Sequence, residues 1–184
     1  MELSNGEKLI LVMLSEIYEH LKIKGEIDPK FVRKSIFSEQ TWSLAWQYPG
    51  IIGSSENKIP PVVSEVLDIL EMWEMLEVSY KRLKPADKTR VEAEAKPFGS
   101  NVQFRGFDGN NETEYMGAAG FLVNDLERFS TFKGRDLNSH RPSLETYRRM
   151  LAVFQPLRNS HDFDTLNVEQ IINILKERTH PENR

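Results

Sequence analysis

Apolar residues recur along this chain at the spacing of helix faces, and turn formers cut the pattern into about seven segments. Ile10, Met13, Leu14, Ile17 and Leu21 make a steady three-four stripe behind Ser4-Asn5-Gly6-Glu7, which has the form of a capping box. This predicts a first helix with one buried face, ended by Gly25. Asp28-Pro29 starts a second helix that runs to Tyr48-Pro49-Gly50. On it Val32, Ile36, Phe37 and Leu44 fall near one face, and Trp42 and Trp46 lie four apart, close enough to share a partner. A polar loop from Gly53 to Ile59 follows.

The most apolar stretch, Val62 to Leu83, carries hydrophobic residues on more than one stripe, the mark of a helix at the centre of its domain. Its acids Glu65, Asp68, Glu71, Glu74 and Glu77 recur every third residue and drift about 60° around the axis at each step. At least one of them must therefore sit at a semi-buried edge and need a basic partner. Pro85 to Lys96 reads as a charged, exposed helix, and Val102 to Arg105 as a brief extended run.

Asp108-Gly109-Asn110-Asn111 is turn chemistry, with Asn111 as the N-cap of a helix from Glu112 to about Phe132. Gly117 and Gly120 within it cost about 1 kcal/mol each against alanine. That predicts close approach of another backbone, from the tryptophan-bearing second helix or a dimer mate. After a polar loop, Lys133 to Arg141, Pro142 starts a helix with Leu144, Tyr147, Leu151 and Phe154 on one face, which Pro156 ends or kinks. A loop containing His161 and Asp164 leads to a last helix, about Asn167 to Glu177, and residues 179–184 read as a frayed tail. The expectation is an all-α fold: a single compact domain over residues 1–184, about seven helices around a buried central helix at about 62–83, and no sheet.

With 184 residues, 39% hydrophobic and 28% charged, the composition is that of a soluble globular domain. The absence of cysteine excludes disulfides and thiol catalysis and fits a reducing compartment. The acidic start lacks the basic region of a secretory signal, and no apolar run reaches the roughly 18 residues of a membrane span. The expected location is the cytoplasm. A net charge of −4 implies no partner by itself. Its distribution says more: residues 126–158 carry seven Lys or Arg against three acids, whereas residues 60–80 carry five acids and no base. Such surfaces pair within the fold or across a dimer.

Candidate chemistry is sparse. Phe104 to Asn111 lacks the lysine and spacing of a phosphate loop. The spacing Asp108, Asn110, Glu112 fails the calcium-loop template, which needs glycine where Thr113 stands and glutamate where Ala119 stands. The glutamates of the central segment lack the Glu-x-x-His partners of a di-iron bundle, and Asp136, Ser139 and His140 are too close in sequence for a hydrolytic triad. Neither a metal nor a cofactor is expected. The candidate binding residues are Arg105, Asp108, Asn111, Arg128, Arg135, Asp136, Asn138 and His140, drawn from three polar turns. Two of those turns lie at opposite ends of the predicted 112–132 helix, about 30 Å apart if it is straight.

The runs Arg105-Gly-Phe-Asp-Gly-Asn-Asn-Glu112, Phe132-Lys-Gly-Arg-Asp-Leu-Asn-Ser-His140 and Tyr147-Arg-Arg-Met-Leu-Ala-Val-Phe154 resemble the YfbU-like proteins. Thr41-Trp42, Tyr48-Pro-Gly-Ile51 and Val168-Glu-Gln-Ile-Ile-Asn-Ile174 extend the resemblance over nearly the whole chain. It implies a bacterial, all-helical, cytosolic protein and brings no active site with it. The first functional reading is a non-enzymatic interaction or regulatory module acting as a homodimer, with a protein or small-anion partner. One alternative is an enzyme or small-anion binder that uses the loops around Asp108 and Arg135 to His140. Another is nucleic-acid association through Arg141, Arg148, Arg149 and Arg158, against which the net acidity stands.

Overall fold

The computed structural model describes residues 3–53, 59–159, 165–180 and 182. Eight α-helices follow one another among them: α1 (Asn5–His20), α2 (Pro29–Phe37), α3 (Trp42–Gln47), α4 (Pro61–Arg82), α5 (Pro85–Glu94), α6 (Thr113–Asn124), α7 (Leu144–Arg158) and α8 (Val168–Lys176). The described residues form no strand, and a lone bridge pairs Phe107 with Asn138. The loop holding His161 and Asp164 lies outside the described residues, as do residues 54–58 of the polar loop and half of the tail expected to fray.

α4 is the axis of the molecule, as its sequence predicts. Val66, Ile69, Leu70, Met72, Trp73 and Leu76 are wholly buried, and α6, α7 and α8 pack around them. Rings gather beside Trp73: its centroid lies 5.6 Å from Tyr147 and 6.0 Å from Phe104, and Phe104 lies 5.2 Å from Phe132. The α4 acids meet the basic segment that follows α6. Arg135 holds Glu77, Arg148 holds Glu65, and Arg158 reaches both Asp68 and Glu71. Thr131 donates to Glu74, so each of the five acids is engaged. The two opposite charge runs thus close on each other within one chain.

α5 and α8 lie where the sequence places them, and other helices depart from expectation. The second predicted helix is two, α2 and α3, because Glu39 turns the backbone at φ 58°. Trp42 and Trp46 do meet edge to face at 5.2 Å. Pro156 does not end α7, which continues to Arg158. Gly117 and Gly120 admit no close backbone from the same chain. A methyl on Gly120 would find nothing within 4 Å, and one on Gly117 would meet only the end of Gln40.

The N-terminal pair forms its own small cluster. Val32, Ile36 and Leu44 are buried against Leu11, Val12 and Phe31, separately from the core around α4. Phe31 and Trp42 tie this pair to the rest through Phe121 of α6, at 5.8 and 6.3 Å, and Lys34 adds an ion pair to Asp125.

Candidate functional site

The helix predicted to run from 112 to 132 stops at Asn124. Glu127 and Phe129 then adopt left-handed backbone, at φ 52° and 51°, and reverse the chain. The return brings residues 137–139 alongside Phe107, whose amide donates to the Leu137 carbonyl and whose carbonyl accepts from Ser139, both at 2.9 Å. Gly106 permits the approach. It lies at φ 85°, and a Cβ there would stand 1.8 Å from the Leu137 carbonyl oxygen. Two polar turns expected about 30 Å apart are therefore neighbours.

Five of the eight candidate residues meet here. Asp108 accepts from the Asn110 amide at 3.1 Å and from the Asn111 side chain, and those two donors hold its carboxyl below the usual range. Asn138 accepts from the Gly109 and His140 amides at 3.0 and 2.9 Å. Asp136 accepts from the Asn138 amide, and His140, itself at φ 53°, lies exposed 3.8 Å from Asp136. These hydrogen bonds lock two turns together. The other three candidates lie elsewhere. Arg135 makes a two-pronged contact with Glu77, both bonds 2.8 Å, and Arg128 covers the ring of Trp46. Arg105 lines a separate cleft with Arg141 and Arg178. Asn111 is not the N-cap of α6, since that position belongs to Glu112.

Glu112 is the residue that sequence reasoning missed. Its buried carboxylate accepts from the amides of Asp108, Ser143 and Leu144 at 2.9, 2.7 and 2.8 Å and from the Ser143 hydroxyl at 2.8 Å. It thereby supplies the negative charge and the acceptors that the first turn of α7 lacks in its own cap. Burial would raise its pKa, but the donors outweigh burial and hold the carboxyl below its usual value. Tyr147, one turn further on, donates to the Gly106 carbonyl, and burial pushes its hydroxyl up to about 12.

A second feature stands apart from these turns. The stripe Ile10, Met13, Leu14, Ile17 and Leu21, expected to be a buried face, points outward. These five side chains and Leu9 are 50–63% exposed. α1 forms through its capping box, in which Ser4 accepts from the Glu7 amide and Glu7 from the Ser4 amide. It then docks on α2 with its less apolar side, through Leu11, Val12 and buried Ser15, and Arg33 of α2 pairs with Glu19. Phe37 also leaves the face predicted for it and is 71% exposed.

The profile of the YfbU domain matches residues 1–176. The chain belongs to the YfbU family. A UPF0304 protein of Methanocaldococcus jannaschii is 32% identical to it, over 94% of this chain and 98% of the relative. YfbU membership therefore spans both features, the locked turns and the outward face of α1. Among the described residues, no helix of this YfbU chain is long and apolar enough to cross a membrane.

Proposed function

We propose that this protein is a non-enzymatic interaction module of the cytoplasm that pairs with a second copy of itself through α1. The observation that carries the reading is the outward stripe of six large apolar side chains on that helix. They span an arc of about 140° on a regular helix. With Ile23, which follows the helix and is also exposed, they offer on the order of several hundred Å², approaching one side of a standard interface. An antiparallel pairing about a two-fold axis between Met13 and Leu14 serves both copies alike: Ile10 of each meets Ile17 of the other, and Gly6 meets Leu21. The polar turns support this reading over a catalytic one, since Arg135 is held by Glu77 and the side chains of Asp108, Asn111 and Asn138 are engaged within and between the two turns. Nucleic-acid binding loses two of its four arginines, because Arg148 and Arg158 are paired with α4.

Light scattering after gel filtration tests it. The wild-type chain should elute with twice the chain mass. Ile17→Asp and Leu14→Asp should each elute at the single-chain mass while keeping their helical circular dichroism. A monomeric wild type at working concentration, or variants that keep its mass, would overturn the proposal.

A further inference from the structure

A cleft of about 420 Å³ lies between the 97–105 loop, the turn before α7 and Arg178, two residues past the end of α8. Its lining includes Arg105, Arg141 and Arg178 and contains no carboxylate. This sets it apart from the surface nearby, where Arg135, Arg148 and Arg158 each bind an acid and Arg149 donates to the Glu177 carbonyl. Among the described residues, none of the cleft's three guanidinium groups has an ion pair. Arg178 is the most enclosed of them. Its guanidinium stacks 4.3 Å from the Phe98 ring and 5.4 Å from that of Trp73. Burial lowers its pKa, and the charge of Arg105 acts in the same direction.

The fold holds these cations in place. The Tyr147 hydroxyl donates to the Gly106 carbonyl, which fixes the backbone next to Arg105. Ser139 donates to the Arg141 carbonyl at 2.7 Å and fixes the turn that carries it. The first amides of α7 already bond Glu112, so the positive character of the cleft comes from side chains. Crowding cations without a counter-charge is unfavourable, and the cost is relieved when an anion enters. Guanidinium forks match oxyanions through paired hydrogen bonds, and three of them suit a doubly charged group. The cleft is also larger than a bare oxyanion needs, and Phe98, Pro97 and Pro142 supply apolar wall.

We propose that this cleft binds the phosphate group of a small phosphorylated molecule, with Arg178 at its base and Arg105 and Arg141 at its rim.

The test is calorimetric titration of the full chain at low ionic strength with inorganic phosphate and, separately, phenyl phosphate. Saturable binding of either is expected, weakening as salt is added. Arg105→Gln and Arg141→Gln alter exposed side chains and should fold as the parent does; each should weaken binding about tenfold, the loss of one charged hydrogen-bond pair. Arg178→Gln should weaken it further, and Lys30→Gln on α2 should leave it unchanged. Tighter binding of phenyl phosphate would identify an organic ester as the ligand, and equal binding the phosphate group alone; both support the site. No saturable heat with either compound, binding indifferent to all three arginine variants, or binding of citrate in preference to both phosphates would overturn it.

Discussion

Glu112 shows how one side chain can join distant parts of a chain. Its partners Ser143 and Leu144 lie 31 and 32 positions away, so no local pattern marks it. The turn at Asp108 was legible because aspartate, glycine and asparagine encode it locally; the glutamate that anchors that turn to α7 was not. Its titration gives a signed prediction. A carboxyl whose pKa is lower in the folded than in the unfolded chain stabilises fully above the unfolded value of about 4.5 and loses that contribution as pH falls towards the folded one. Urea unfolding should therefore show the wild type losing stability below about pH 4.5. Glu112→Gln should be less stable at neutral pH, and its gap from the wild type should narrow as pH falls through that window. A gap constant with pH would show that Glu112 acts through packing alone.

At the scale of elements, periodicity located the helices well and misjudged what some of them face. α4 is apolar nearly all round, and only a core can satisfy such a helix, so its position followed from its composition. α1 has a clear stripe, but a stripe does not say whether its cover comes from the same chain or from another. The glycines of α6 were read as contact points, yet Gly120 has open space where a methyl would go. Its only evident effect is the backbone freedom it adds to the unfolded chain. Gly120→Ala should therefore stabilise the protein by up to about 1 kcal/mol in thermal unfolding. A loss of stability would mean that another molecule occupies that space. The end of α6 at Asn124 escaped notice because the reversal rests on left-handed Glu127 and Phe129, residue types that do not announce such a turn.

Over the whole molecule, two apolar clusters of unequal size share one chain. The larger is organised by α4 and by the ion pairs that join its acids to residues 135–158. The smaller holds α1 and α2 and reaches the rest through Phe121 and the Lys34–Asp125 pair. Local opening should follow that inequality. In the Ile17→Asp variant, amides of α1 and α2 should exchange with deuterium well before those of α4, whereas in a wild type that pairs through α1 as proposed the α1 amides should be protected. Equal exchange across both regions would show a single cooperative unit. The thin attachment of the first two helices has a biological corollary. On the proposed pairing, a newly made copy that meets no sister would present a loosely tethered, greasy arm to chaperones and proteases, so the amount of this protein in a cell would depend on how promptly its copies find one another.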